Sequence, residues 1–146
     1  MEVEMTSGAH CEPDPIIFIN ADHQARIEAL VERAMERNPT MANRLFDEIS
    51  RARIVAPEDF PPFAVDIGSR VSYIDETARL QREVVLVFPE DSDVARQRVS
   101  VMTPLGVALL GLQKGQAFCW DANAIPRWKL TVTNVESPQR AKERKR

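Results

Sequence analysis

The spacing of hydrophobic residues in this chain changes at one place from the period of a helix to that of a strand. Before residues 55–66 ("VAPEDFPPFAVD"), apolar residues of 27–34 recur at the i, i+3, i+4, i+7 spacing of a helix face. After it, segments such as "RWKLTVTNV" (127–135) alternate with a period of two. The segment 55–66 holds three prolines and neither period. The sequence therefore predicts an α+β fold in which a helical part precedes a sheet.

Two amphipathic helices are predicted in the first part, joined by the short connection "RNPT". Asp22 is a candidate N-cap for the first helix, while Asn38 followed by Pro39 suits the start of the second. The apolar residues of 42–49 form one stripe on the second helix. Because so short a connection places the helices antiparallel with their apolar faces together, we expect a helical hairpin, a short coiled coil.

Five strands are predicted after the proline-containing segment, and one short helix at 104–110 interrupts them. A mostly antiparallel sheet with one helix packed on it is the expected arrangement. The strands are predicted near residues 71–75, 82–88, 98–102, 117–120 and 127–135.

Changes in composition give the expected domain boundaries. The basic end of the chain, "QRAKERKR", either contacts RNA or an acidic surface or is a solvated disordered end, and its short terminal position favours the second. The predicted parts are a flexible tail at 1–14, the helical hairpin at 15–54, a linker at 55–68, the sheet domain at 69–137 and a basic tail at 138–146.

Charge and hydropathy count against several classes of protein. The 146 residues carry a net charge of -3, so no basic surface for sequence-specific nucleic acid binding is expected. No apolar run is long enough to cross a bilayer. The acidic start "MEVE" does not resemble a signal peptide. We expect a cytoplasmic monomer that does not bind membranes.

The sequence predicts neither a metal site nor catalysis. A zinc site needs about four ligands at short regular spacings, whereas Cys11 and Cys119 lie far apart, and without an export signal we expect both to be reduced thiols. Both histidines precede residue 24, and no nucleophile, histidine and acid pattern is present. We expect a protein that is not an enzyme and needs no cofactor.

The stretch "VMTPLGVALLGLQKGQAF" (101–118) carries the clearest local signals. Thr103 can cap a helix, Pro104 suits its first position, and Gly111 permits a left-handed end. Core packing alone explains such a helix, but it does not explain why a strand runs straight into a proline corner beside Met102. A corner held by a sheet and a helix is a rigid binding platform, so we expect a partner to dock there.

Residues 98–116 ("RVSVMTPLGVALLGLQKGQ") resemble the C-terminal domain of the Gre transcript-cleavage factors. The segments "IIFIN", "SRARIVAPEDFP" and "SRVSYID" occur in the same order in one branch of that family, the bacterial regulators of nucleoside diphosphate kinase. The resemblance covers residues 15–136. The matching positions near the corner are Ser100, Val101, Thr103, Pro104, Leu105, Ala108, Leu109, Leu110, Gly111 and Gly115.

The resemblance implies an FK506-binding-protein-like fold for the second domain. It also implies docking on the rim of the RNA polymerase secondary channel through the corner before the short helix. Several cleavage factors carry an acidic or amide residue at the position of Met102, where methionine would instead make adaptable apolar contacts. Carried over by position, the polymerase-binding residues are Ser100, Met102, Thr103, Pro104 and Leu105.

Cleavage factors place two acidic residues, which hold a magnesium ion, at the tip of a long coiled coil. The first helix predicted here spans roughly 23 Å at about 1.5 Å per residue, which is short for this task. The tip also has a single acid among Glu36, Arg37, Asn38, Pro39 and Arg44. The resemblance therefore implies a factor that binds polymerase and competes with cleavage factors without cleaving RNA.

Two other functions stay open. The family name suggests direct regulation of nucleoside diphosphate kinase by protein contact, although an indirect effect through transcription would look the same. A prolyl isomerase would use the same type of fold, but its pocket needs clustered aromatic residues and the chain is only 6% aromatic. Trp120 and Trp128, near the ends of the last two strands, are better interpreted as packing on the sheet.

Overall fold

The structure is a computed structural model that describes residues 16–120 and 128–138, with only the backbone described at positions 120 and 128. The predicted tail at 1–14 and the basic tail from 139 onward lie outside the described residues. In chain order the elements are β1 (Phe18–Asn20), α1 (Ala21–Arg37), α2 (Pro39–Arg51), β2 (Arg53–Val55), β3 (Arg70–Asp75), β4 (Leu80–Val87), β5 (Arg98–Ser100), α3 (Pro104–Leu109), β6 (Ala117–Trp120) and β7 (Trp128–Glu136).

The two N-terminal helices pack against each other as predicted, but the first begins differently. Asn20 is the N-cap of α1, because its Oδ1 accepts a hydrogen bond from the Asp22 N–H at 2.9 Å. Asp22, the expected cap, lies in the first turn, where a negative charge favours the helix dipole. Asn38 caps α2 as predicted and accepts from the Met41 N–H at 3.3 Å.

A two-stranded parallel sheet closes the open end of the hairpin. β1 pairs with β2, and the Arg53 N–H donates to the Ile17 carbonyl at 2.9 Å. The Phe18 N–H also donates to the carbonyl of Gly111, at 3.3 Å, which ties this end of the hairpin to the region after α3. These strands were not predicted from the sequence, since three residues are too few to show a period.

The main sheet has five strands in the order β5-β4-β3-β7-β6. β3 is antiparallel to both of its neighbours, and β6 is antiparallel to β7. β5, however, runs parallel to β4, so the predicted antiparallel sheet is wrong at this edge and the sheet is mixed. The reason is the connection at 88–97, which contains two short 3₁₀ turns and crosses over instead of forming a hairpin.

One hydrophobic core joins the hairpin to the main sheet. Ile27 of α1, Leu45 of α2, Leu109 of α3 and Leu130 of β7 are all fully buried in it. Burial of these side chains from three helices and a strand in the same cluster fixes the hairpin on the sheet and gives it a defined position relative to α3.

The segment between hairpin and sheet has two distinct halves. Residues 55–63 contain no buried side chain. Val65, by contrast, is fully buried, its N–H donates to the Leu112 carbonyl at 2.8 Å, and its carbonyl accepts from the Gly111 N–H at 3.0 Å. The predicted linker at 55–68 stays a prediction, and 55–63 is the part in which a flexible break is physically possible.

Cys119 in β6 is disulfide-bonded, so the expectation of a reduced thiol at this position is wrong. That expectation concerned the cellular compartment, and the compartment does not determine which sulfur atoms the fold brings together. Cys11, the other cysteine, lies outside the described residues.

Within 16–120 and 128–138, no helix combines the length and the apolar character needed to span a membrane.

Candidate partner-binding corner

The corner between β5 and α3 is built around a buried anchor. Val101 follows the last residue of β5, is fully buried, and donates its N–H to the Val87 carbonyl at 2.9 Å. The chain reverses within three residues, and α3 begins at Pro104. The corner is thus hydrogen-bonded to β4, the neighbour of the edge strand β5.

Ser100 shapes this corner from inside. It is buried, and its Oγ accepts a hydrogen bond from the Met102 N–H at 2.9 Å. The carbonyl of Ser100 accepts from the Thr103 hydroxyl at 2.7 Å and from the Thr103 N–H at 3.2 Å. These three bonds hold the turn in one conformation. The predicted contact of Ser100 with a partner stays a prediction.

Thr103 and Pro104 begin the helix as predicted. The Thr103 Oγ1 accepts from the Gly106 N–H at 3.0 Å, and Pro104 occupies the first turn of α3. Met102 and Thr103 are half-buried, whereas Pro104 is exposed. The ring of Pro104 is therefore exposed to solvent, while the hydrogen bonds of Ser100 and Thr103 fix the backbone on which it lies.

Gly106 is a structural requirement of the corner that was not predicted from the sequence. A Cβ atom at this position would lie 2.0 Å from the Ser100 carbonyl oxygen and 2.7 Å from the Val101 Cα. Glycine inside a helix costs roughly 1 kcal/mol relative to alanine. Its presence within the short α3 was the available signal that another backbone segment comes very close there.

The predicted hairpin tip lies beside the corner. Glu36, Arg37, Asn38 and Pro39 are exposed and Arg44 is half-buried. The structure therefore places at the surface all of the tip residues except Arg44.

The corner and the tip line one groove. Its walls are the second half of α1 and the turn at 89–90, and Met102 reaches it from the corner. Glu36, Arg37 and Asn38 also line it, so two predicted sites that lie far apart in sequence are brought together. Pro39 and Arg44 are not among its lining residues. We call this space the hairpin groove.

Ser100, Thr103 and Leu105 of the corner also line a second groove. Tyr73 of β3 also lines it, and burial raises the pKa of the Tyr73 hydroxyl, an effect that the nearby Arg82 guanidinium partly offsets. The tyrosine therefore stays neutral at physiological pH. Leu105 and Met102 are both half-buried and pack against the hydrophobic core, which leaves Pro104 as the more accessible apolar group of the corner.

A polar cluster holds α1 on the sheet domain. The buried Asp66 carboxylate accepts from the Asn20 Nδ2 at 3.0 Å and from the Ile67 N–H at 2.7 Å, and it lies 2.9 Å from His23 Nδ1. These contacts fix the start of α1 and so the position of the hairpin groove. These contacts could not be predicted from the sequence, because Asn20, His23 and Asp66 share no pattern along the chain.

The tip carries a single carboxylate. Glu36 is its one acid, and Glu48, further along α2, pairs with Arg51 at 2.6 Å. Across the part of the chain that the structure describes, no three His, Cys, Asp or Glu side chains come together in a way that could hold a metal ion.

Two family models match the chain. The one described as "Transcription elongation factor, GreA/GreB, C-term" covers residues 60–137, and the one described as "Rnk N-terminus" covers residues 15–55. The two matches meet between residues 55 and 60, inside the segment that contains no buried side chain.

Individual relatives agree with these matches. The regulator of nucleoside diphosphate kinase of Escherichia coli (strain K12) is 34% identical over 122 residues, which cover 84% of this chain and 90% of that protein. The transcription elongation factor GreA of Mesorhizobium japonicum is 29% identical over 79% of this chain and 69% of its own length. A solved prokaryotic transcription elongation factor GreA/GreB from Nitrosomonas europaea superposes with a TM-score of 0.67 at 29% identity, covering 84% of this chain and 99% of that chain.

Proposed function

This chain belongs to the GreA/GreB family of transcription elongation factors and, within it, to the regulators of nucleoside diphosphate kinase, and on that premise we propose that it binds RNA polymerase. Docking takes place near the secondary channel, through the corner at 100–105. The five-stranded sheet with α3 packed on it supports an FK506-binding-protein-like fold for the docking domain.

The observation that carries this proposal is the exposed Pro104 on a backbone fixed from within. Three hydrogen bonds to Ser100 and the close approach at Gly106 hold the corner in one shape before any partner arrives. A surface that is already ordered loses little conformational freedom on binding, so more of its contact energy appears as affinity. Met102 adds an adaptable apolar contact beside the ridge.

The factor does not cleave RNA. Its 17-residue first helix is about 26 Å long at 1.5 Å per residue, and Arg37 adjoins the single acid of the tip. Two carboxylates are needed to hold a magnesium ion against the polymerase metal and to activate water. The protein is therefore a binding factor, not an enzyme, and acts without a cofactor.

Occupation of the secondary-channel rim excludes cleavage factors that use the same site. The protein thus modulates transcription as a cytoplasmic monomer, and its effect on nucleoside diphosphate kinase is indirect. The alternative is direct contact with the kinase, which the name of the Escherichia coli relative favours. A prolyl isomerase has less support, since Tyr73 is the one aromatic residue lining the second groove within the described part of the chain.

A binding measurement with matched variants tests the proposal. Immobilised core RNA polymerase should retain the wild-type protein and lose Pro104→Arg. Pro57→Arg is the control, because Pro57 is also exposed and also begins a short helical turn, but it lines neither groove. Capture by nucleoside diphosphate kinase with no capture by polymerase would support the alternative.

A further inference from the structure

The disulfide at Cys119 has a partner that the sequence identifies. Cys119 of β6 is the one cysteine within the described residues, and its sulfur is bonded to a second sulfur. The chain has two cysteines, so within one molecule that partner can only be Cys11. A bond between Cys11 and Cys119 closes a loop that contains the whole hairpin, β3, β4, β5 and α3.

The connection from Cys11 to the described fold is short. Residues 11–16 span at most about 18 Å when fully extended. The chain then enters β1, where the Phe18 N–H donates to the Gly111 carbonyl at 3.3 Å, and residues 111–119 lead from that contact into β6. So short a connection leaves little slack, and a bond at Cys11 therefore restrains β1 and the start of α1 as well.

This bond gives the hairpin a second covalent link to the sheet domain. The first link is the segment 55–63, which follows β2 at the C-terminal end of the hairpin and contains no buried side chain. The disulfide attaches the N-terminal end of the hairpin to β6. With both links present, the hairpin stays on the sheet domain even when its noncovalent contacts open.

The disulfide at Cys119 is open to exchange with other thiols. Cys119 is half-buried, and β6 is an edge strand of the described five-stranded sheet. Exchange begins when a thiolate attacks a disulfide sulfur, so it requires such access. Disulfides in cytosolic proteins are usually transient and respond to the redox state. An accessible disulfide in a factor that acts in the cytoplasm therefore suits a reversible link better than a permanent one.

We propose that Cys11 and Cys119 form a thiol–disulfide switch, which ties the hairpin to β6 when oxidised and removes this second link when reduced. The regulatory role rests on the proposed function, because it concerns a cytoplasmic factor.

Glutathione disulfide is a sufficient oxidant for this switch. One cysteine thiolate attacks it, forms a mixed disulfide and expels one glutathione thiolate. The second cysteine thiolate then attacks the protein sulfur of the mixed disulfide and expels the other. The two cysteines lose two electrons and two protons in total, which end on two molecules of glutathione. A dithiol reductant reverses both steps and becomes a disulfide itself.

Peptide mapping tests the pairing. The full-length protein is treated with glutathione disulfide, unfolded in the presence of a thiol-blocking reagent, and digested with trypsin without reductant. We expect mass spectrometry to detect the Cys11 and Cys119 peptides joined, and to detect them separately after dithiothreitol. Cys11→Ser is the matched control and should give no joined peptides. Two blocked thiols in the wild type, or a bond between the Cys119 residues of two molecules, would overturn the proposal.

Thermal unfolding and hydrogen exchange test the link to the hairpin. Reduction should lower the Tm of the wild type by about 5–15 °C, as loss of a bond that closes so long a loop predicts. The amides of β1 and the start of α1 should then exchange faster. Cys11→Ser should behave like the reduced wild type and should not respond to dithiothreitol. An unchanged Tm together with unchanged exchange in the wild type would show that the bond does not hold the hairpin.

A titration in glutathione buffers tests reversibility. The pair should be mainly reduced in the excess of reduced glutathione that is typical of the cytosol, and mainly oxidised once glutathione disulfide accumulates. A pair that stays oxidised in the first buffer is a permanent structural bond, which would overturn the switch. These measurements use no polymerase, so their failure and the failure of polymerase binding by the wild type are separate results.

Discussion

The Asp66 carboxylate and the His23 imidazole lie 2.9 Å apart and join the first turn of α1 to the start of the sheet domain. Asp66 is also the acceptor for the buried side-chain amide of Asn20, the residue that caps α1. The same carboxylate thus links the helix cap, the helix and the sheet. Because the hairpin groove lies between α1 and the corner, this cluster, together with the hydrophobic core, holds α1 in position beside the corner.

Replacing Asp66 with alanine should lower the free energy of unfolding by about 1–3 kcal/mol, since the Asn20 amide is left buried without its acceptor. Urea denaturation monitored by circular dichroism measures this. Asp59→Ala, at an exposed carboxylate, serves as the control and should change stability little. Equal stability of the two variants would show that the cluster does not hold the hairpin in place.

Limited proteolysis should cut first within residues 55–63, where no side chain is buried. Cleavage at 55–63 would yield a fragment that begins just before the packed segment around Val65. Mass spectrometry of the fragments identifies the sites. A resistant fragment beginning in the middle of α1 or α2 would contradict the predicted boundary.

Gly106→Ala should destabilise the protein by about 1–3 kcal/mol, the usual range for an overpacked site, because the new Cβ would meet the Ser100 carbonyl. Gly115→Ala is the comparison variant, because a Cβ at this position would meet no atom within 4 Å. Only the positive φ of Gly115 is unfavourable for alanine, and it should lower the stability by about 1–2 kcal/mol. Gly106→Ala should also weaken polymerase binding, whereas Gly115→Ala should leave it unchanged. Thermal unfolding and the polymerase binding assay measure the two effects.

The single tyrosine, Tyr73, should titrate above pH 10 in the folded protein, since burial raises its pKa from the ordinary value of 10.0. As the pH rises, the hydroxyl of Tyr73 ionises in the unfolded chain before it ionises in the folded protein. The free energy that the protonated Tyr73 contributes to folding is therefore complete below pH 10 and is lost as the pH rises through the folded-state pKa. Tyrosinate absorbance of native and urea-unfolded protein measures both values. Equal values would show that the hydroxyl is solvated, and Tyr73→Phe should remove the absorbance change.

Local signals in the sequence predicted the helices and most strands, because each carries a period or a cap that neighbouring residues determine. Thr103, Pro104 and Gly111 are examples: the first two begin α3, and Gly111 has a φ of +80° just after it ends. The parallel pairing of β5 could not be predicted, since it depends on the path of residues 88–97 through space.

The candidate site was predictable only in part, for a similar reason. The corner is one continuous segment and could be recognised, and its binding role stays a prediction. The groove that joins Met102 to Arg33 and Arg37 depends on the position of α1 beside the sheet, which the shared hydrophobic core and the His23–Asp66 contact both hold. Such contacts between distant residues leave no spacing pattern in a single sequence.

In a backtracked elongation complex, the wild-type protein should slow transcript cleavage by a cleavage factor without producing shortened RNA itself. The reason is that the two proteins share the channel rim, while this tip has one acid where cleavage needs two. Inhibition should fade as the cleavage factor is raised, because one site cannot hold both proteins. A titration of the cleavage factor at fixed concentrations of the wild type measures this.

Pro104→Arg and Met102→Asp should inhibit less than the wild type, with a loss of about 1–3 kcal/mol in binding, the range typical for disruption of a central contact. Pro57→Arg should inhibit fully, since it changes an exposed proline outside the corner. Pro104→Ala should fold normally, because the Pro104 ring is exposed and Val101, not Pro104, is the buried anchor. Equal inhibition by the wild type and Pro104→Arg, or inhibition that excess cleavage factor does not relieve, would place the polymerase contact away from this corner.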